Sequence, residues 1–154
     1  EHRIGGLDKD ADTGNVSYVP DNHEYMINIR AEKIRRVQNA IPELKTEFVD
    51  EGDLLVIGWG GTYGSLYSAI KHIREEGAET IGLAHFNYIN PLPKNTVDVL
   101  KRFKKIVVCE LNNGQFAKVL KLNFNDFDVL QFNKIQGLPF GNEELVQKFK
   151  QLLK

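Results

Sequence analysis

Two short runs hold the residues whose types and spacing could do chemistry. The first is Gly58, Trp59, Gly60, Gly61, Thr62, Tyr63 and Gly64, a glycine-rich turn with bare amides, one hydroxyl and two large aromatic rings. Glycines let a backbone bend sharply, and they also let another molecule lie against bare amides at a helix N-terminus. Both uses are open at this stage. The second run is Glu110, Leu111, Asn112, Asn113, Gly114 and Gln115, one carboxylate among amide side chains.

Tested against known site chemistries, these runs fall short. A dinucleotide fingerprint needs Gly-x-Gly-x-x-Gly, with an acid about 20 residues further on for the ribose hydroxyls. Here Gly60 and Gly64 are one residue too far apart, and the next strand pattern ends Ala84, His85, Phe86, Asn87 without a carboxylate. No Gly-Lys-Ser/Thr follows the apolar run, so a P-loop fails as well. Ser65 lacks the Gly-x-Ser-x-Gly elbow and reads as an ordinary residue at a helix start. His2, His23 and His72 share no ligand spacing with Cys109, and no metal site is expected. His85 reads as a structural histidine in a strand, and Cys109 as a buried strand residue. Glu110 stands where its strand would enter a crevice, and has two readings. It is an ionisable group open to a ligand, or it hydrogen-bonds to the backbone of the glycine turn. Trp59 and Tyr63 are either anchors for a partner surface or, for the tryptophan, a cover over a helix end. No catalytic residue is assigned. The crevice and interface candidates are Gly60, Gly61, Thr62, Tyr63, Gly64, Glu110, Asn112, Asn113 and Gln115.

The elements that must position these residues alternate. Leu54 to Ile57 is an unbroken apolar run, the pattern of a strand covered on both faces. The glycine turn follows, and Leu66, Ala69, Ile70 and Ile73 then recur at helical spacing up to Gly77. Glu79 to Phe86 predicts a second strand. Asn95, with Asp98 three residues on, predicts a capped helix to Phe103. Ile106 to Cys109 is a third strand, Gln115 to Leu122 a helix, Phe127 to Phe132 a fourth strand, and Asn142 opens a last helix with Glu143 and Glu144 in its first turn. Lys45 to Val49 is a candidate edge strand. Upstream, a helix is expected from His23, capped by Asn22 and ended by Pro42, with Met26, Ile29, Ile34, Val37 and Ile41 on one side. Residues 1–22 read as an extended arm or interdomain linker, and 23–154 as the α/β domain. Alternating β and α with four or five mostly parallel strands gives a three-layer α/β/α sandwich. In such sheets, ligands and partners sit beyond the carboxyl ends of the strands, at the switch point in strand order. Residues 58–64, 86–88, 110–115 and 135–140 should converge there.

Composition limits the function classes. The 154 residues suit one domain that buries about 68–70% of its unfolded surface. A net charge of −1 argues against a nucleic-acid binder that relies on phosphate contacts. No apolar run approaches the length of a membrane span, and the first residues lack the apolar segment of a signal peptide. One cysteine cannot form an internal disulfide, which fits a reducing cytoplasm. The chain opens on Glu1 rather than Met, and we therefore expect a processed or excised piece.

Five blocks in order carry a family resemblance: EHRIGGLDKD with TGNVSYVPDNHEYMINIRAEKI, then LLVIGWGGTYGS, INPLPKN, VVCELNNGQ and IQGLPF. Together they resemble the C-terminal part of the alpha subunit of 2-oxoglutarate:ferredoxin oxidoreductases, within the 2-oxoacid:ferredoxin oxidoreductase family. The resemblance implies a fold similar to the C-terminal domain of transketolase, a five-stranded mixed sheet with one antiparallel edge strand. It also implies a parent enzyme that oxidatively decarboxylates a 2-oxoacid with thiamine diphosphate and Mg²⁺. Iron–sulfur clusters would carry electrons to ferredoxin, and coenzyme A would take the acyl group. None of these cofactors is expected in this piece, since a four-iron cluster needs several cysteines and the chain has one. The implied partners are the remaining domains of the alpha subunit, the beta subunit and a further copy of the chain. The expected role is a non-catalytic assembly domain. The alternative is a regulatory module that holds an anion such as coenzyme A at the glycine turn.

Overall fold

A computed structural model describes residues 5–154. The first four residues of the expected arm, His2 among them, lie outside the described residues. By its contacts the chain divides into two units, one ending at Ile41 and the other running from Pro42 to Lys154.

In the first unit, an isolated antiparallel bridge joins Lys9 to Val16 across a turn in which Asp10 Oδ1 accepts from Thr13 N at 2.9 Å. Helix α1 (Pro20–Val37) starts on a proline at its first position, where a missing N–H costs nothing. Asn22, expected to cap this helix, sits inside its first turn instead. Its Oδ1 accepts from Ala11 N at 3.0 Å and its Nδ2 donates to Lys9 O at 2.8 Å, so it ties the arm to the helix. The domain boundary expected between Asn22 and His23 thus runs through α1, and the helix groups with the arm. None of the residues of α1 is buried, although Ile29, Ile34 and Val37 read as a core face. One 3₁₀ turn (Gln38–Ala40) follows, and Ile41 is extended, as a residue before proline must be.

The second unit is a five-stranded sheet in the order β1-β3-β2-β4-β5, made of β1 (Thr46–Glu47), β2 (Gly52–Trp59), β3 (Ile81–Phe86), β4 (Phe103–Glu110) and β5 (Val129–Asn133). Strands β2 to β5 are parallel, and β1 pairs antiparallel with β3 through Thr46–Ala84 and Glu47–Leu83. The antiparallel edge strand implied by the resemblance is therefore present, but shortened to two residues. The remaining helices are α2 (Tyr63–Glu75), α3 (Thr96–Leu100), α4 (Gln115–Asn123) and α5 (Asn142–Leu153).

Alternation along the central strands builds a core on each face. Leu55, Ile57, Ile106 and Val108 face α3 and α4, through Val99, Leu100, Phe116 and Leu120. Leu54, Val56, Val107 and Cys109 face α2 and α5, through Leu66, Ile70, Leu145 and Phe149. Continuously apolar strands with both faces covered are what a parallel sheet requires. The crossover from β2 to β3 runs one way and that from β3 to β4 the other. With right-handed crossovers this puts α2 on one face and α3 on the opposite face, and makes the gap between β2 and β4 the switch point.

A second capping expectation is corrected. Asn95 occupies the N-cap position of α3, but its side chain makes no cap bond. Its Oδ1 accepts from Leu44 N at 2.8 Å and its Nδ2 donates to Leu44 O at 2.9 Å, pinning the strand leading into β1. The helix also ends at Leu100, because Phe103 already belongs to β4.

Candidate functional site

The β2–β4 switch point opens into a small crevice of about 180 Å³, lined by Trp59, Gly60, Gly61, Thr62, Leu111 and Asn112. The turn that forms one wall exists because Gly58 has no side chain. A Cβ there would sit 2.3 Å from Leu66 Cδ1 and 2.7 Å from Thr62 Oγ1. Thr62 is buried, and its hydroxyl is closed within the turn, accepting from Trp59 N at 3.1 Å and donating to Trp59 O at 2.9 Å. Gly61 and Gly64 differ in kind from Gly58. Among the described residues nothing lies within 4 Å of the space a Cβ would occupy, and neither has a positive φ.

Leu111 and Asn112 form the other wall, and Glu110 stands behind it, fully buried. Its Oε1 accepts from Trp59 Nε1 at 3.1 Å, Asn112 Nδ2 at 3.2 Å and Phe116 N at 2.8 Å, while Oε2 accepts from Ala117 N at 3.1 Å. The expected bond to the glycine-turn backbone is not the one formed. The carboxylate instead caps the first turn of α4 and holds the indole that begins the glycine turn. Asn112 completes the cap, its Oδ1 accepting from Gly114 N at 2.8 Å and Gln115 N at 3.1 Å. Two side chains thus meet amides at the start of α4 that have no partner within the helix. Trp59 packs on Phe116, ring centroids 6.3 Å apart, so the indole covers a helix end. Asn113 and Gln115 are exposed beside this network.

A larger cleft of about 740 Å³ opens beyond the carboxyl end of β3, beside the edge strand. Its wall includes Glu47, Tyr63, His85, Asn87 and Tyr88. Tyr63 donates its hydroxyl to Glu47 Oε2 at 3.0 Å, which holds the phenol above its ordinary pKa. His85 packs edge-on against Tyr63, centroids 5.2 Å apart. Burial pushes its imidazole below the usual histidine value, against the opposing pull of the Glu47 charge and a hydrogen bond to the Gly60 backbone. His85 Nδ1 is enclosed with no partner among the described residues. Behind this wall, Phe48 has φ of 72°, an outlier for a bulky side chain. The turn lays its ring against Tyr67 at 5.0 Å and under the Arg74 guanidinium at 5.7 Å.

Of the nine candidates, Gly60, Gly61, Thr62 and Asn112 line the crevice and Glu110 braces it, while Tyr63 faces the larger cleft. Asn87 and Tyr88, in the 86–88 segment expected beside the glycine turn, line the larger cleft and not the crevice, and Glu47 is a site residue that the sequence does not single out. The signal for Glu47 is the pairing of a two-residue edge strand with β3, which local sequence patterning barely marks.

The donor set does not fit an iron–sulfur cluster. Cys109, the single cysteine, is enclosed in β4, where burial and then the neighbouring Glu110 push its thiol far above the usual range. Among the described residues no group of three His, Cys, Asp or Glu side chains is placed to hold a metal ion. No described helix is long and apolar enough to cross a membrane.

Comparison with known proteins gives a consistent picture. The family model described as pyruvate:ferredoxin oxidoreductase core domain II matches residues 52–148. The chain is 38% identical over 146 residues to 2-oxoglutarate oxidoreductase subunit KorA of Mycobacterium tuberculosis, covering 94% of this chain and 22% of that protein. It is 29% identical over 147 residues to 2-oxoacid:ferredoxin oxidoreductase 1, subunit alpha, of Aeropyrum pernix, covering 91% of this chain and 23% of that protein. The chain thus spans less than a quarter of the length of these two relatives. Among solved structures, 2-oxoglutarate:ferredoxin oxidoreductase from Magnetococcus marinus superposes with a TM-score of 0.87 at 27% identity, covering all of this chain and 27% of that one. A split-gene transketolase shares only the fold, with a TM-score of 0.52 at 14% identity over 71% of this chain and 41% of that one. With the model matched from the first residue of β2 into α5, the chain belongs to the pyruvate:ferredoxin oxidoreductase core domain II family, within the 2-oxoacid:ferredoxin oxidoreductases whose alpha subunit the five blocks resemble.

Proposed function

We propose that the chain is a non-catalytic assembly domain of a thiamine diphosphate-dependent 2-oxoglutarate:ferredoxin oxidoreductase. The observation that carries this reading is the state of the switch point. Its one carboxylate, Glu110, is enclosed and bonded to four internal donors, while Gly60, Gly61 and Gly64 offer an exposed surface without side chains. Such a surface suits close approach by another protein better than it suits acid–base chemistry. In this reading thiamine diphosphate, Mg²⁺, the iron–sulfur clusters and the coenzyme A site belong to the remaining domains of the alpha subunit and to the beta subunit. Ferredoxin receives the electrons. Residues 1–22 serve as the interdomain linker, and the enzyme works in the cytoplasm. The solved relative from Magnetococcus marinus, bound to 2-oxoglutarate, coenzyme A and succinyl-CoA, supports the choice of 2-oxoacid.

The isolated chain should show no 2-oxoglutarate-dependent reduction of ferredoxin, and it should co-purify with the remaining domains when these are expressed beside it. Measurable decarboxylation by the chain alone would overturn the proposal. The competing reading places coenzyme A phosphates on the glycine turn. The exposed amides of Gly60 and Gly61 favour it, but no Lys or Arg lines that crevice. A thermal-shift titration separates the two, because ligand at a hundred times its dissociation constant adds about 2.7 kcal/mol of stability. A clear shift with coenzyme A would favour the ligand-binding module, and none is expected for the assembly domain.

A further inference from the structure

We propose that the larger cleft beside the edge strand is a receptor for a guanidinium group, the side chain of an arginine presented by another polypeptide segment. The proposal does not rest on the assembly reading above, and concerns the side chains of the second unit alone.

Charge and shape both point this way. The lining carries Glu43 and Lys45, both exposed on the rim, and Glu47, the one charged group set deeper in the wall. Glu47 is half-buried on β1 and forms no salt bridge among the described residues. Its one hydrogen bond there comes from the Tyr63 hydroxyl and goes to Oε2, leaving Oε1 free to accept. That bond fixes the carboxylate, so little side-chain freedom is left to lose on binding. A pre-oriented carboxylate matches the planar fork of a guanidinium better than the point charge of an ammonium.

Two tyrosine rings line the same cleft, and one of them, Tyr63, bonds to the carboxylate. Tyr63 and Tyr88 are 40% and 47% exposed and line the same space, and aromatic rings attract a delocalised cation. Below them, Leu44 and Pro93 are buried and make an apolar floor for the methylene stem of an arginine. The unusual backbone of Phe48 contributes from behind, since its ring backs Tyr67, which lies 5.8 Å from Tyr63. The same chemistry disfavours phosphate groups, which would meet Glu43 and Glu47.

The test is an NMR titration of the 154-residue chain with N-acetyl-arginine methylamide, read at the His85 imidazole, the Asn87 side-chain amide and the Tyr63 and Tyr88 rings. Saturable shifts confined to these groups are expected. The matching citrulline derivative, which keeps the shape and loses the charge, should bind about tenfold more weakly or worse, the loss of one charge-assisted hydrogen bond. Glu47→Gln should weaken the arginine probe by a similar factor while the spectrum of the core strands stays unchanged. The proposal is overturned by the absence of a saturable shift, by equal binding of the citrulline probe, by coenzyme A shifting the same groups, or by Glu47→Gln leaving the affinity as it was.

Discussion

The glycines of the β2–α2 turn divide into two kinds. Gly58 is demanded by packing, because a methyl group there would collide with Leu66 and Thr62. Gly61 and Gly64 are not demanded by anything among the described residues, since the space beside them is open. In the isolated chain, Gly64→Ala should leave the stability unchanged or raise it by up to about 1 kcal/mol, read by urea unfolding, because alanine is the better helix former. Gly61→Ala should be close to neutral. In the assembled enzyme both should weaken association, read by co-purification and activity. Loss of stability in the isolated chain would remove the argument that these glycines serve an outside partner. The glycine run was plain in the sequence, but the division within it was not. It depends on what lies across the turn, and those neighbours come from α2 and β3.

At the scale of elements, one carboxylate joins three of them. Glu110 ends β4, caps α4 and holds the indole at the end of β2. Glu110→Ala should strand these donors in a dry site and cost about 2–4 kcal/mol, measured by urea unfolding. A loss below half a kcal/mol would show that water or a rearranged Asn112 replaces it. Gly114, the residue before α4, has φ of 75°, and a Cβ there would lie 2.0 Å from Gln131 Oε1. Gly114→Ala should therefore also destabilise, by about 1–3 kcal/mol. The positions of β2, β4, α2, α4 and α5 were legible because buried parallel strands and amphipathic helices leave strong periodic signals. Three side-chain roles were not. Asn22, Asn95 and Glu110 all stand where local rules read them one way, and each is taken by a partner elsewhere in the chain: Lys9 and Ala11, Leu44, and Trp59 with the start of α4. Long-range hydrogen bonds leave no pattern in a short window. The antiparallel strand β1 was equally faint, and with it went the cleft that it borders.

For the molecule as a whole, several carboxylates sit below their ordinary pKa. Glu144 is held down first by the Lys134 ammonium at 2.7 Å and then by the Gly141 amide at 2.6 Å. Asp53 is held down first by Lys104 and then by the Thr80 hydroxyl. A depressed folded-state pKa contributes stability that is present above the unfolded value, roughly 4 for a carboxylate, and that is lost as pH falls through the folded value. Both pairs are partly exposed, so solvent and salt screen the effect. The melting temperature should therefore be level from neutral pH to about pH 5 and fall in more acid solution, with added salt flattening the drop. A rise on acidification would contradict the assignment. The switch point also carries its own reporter. Trp59 is the sole tryptophan in the chain, half-buried in the crevice wall with its indole N–H on Glu110. Ultraviolet emission excited at the indole band therefore comes from one known place. Any protein that closes over Gly60 and Gly61 must shift the colour or the quenching of that light, without a dye and without a mutation.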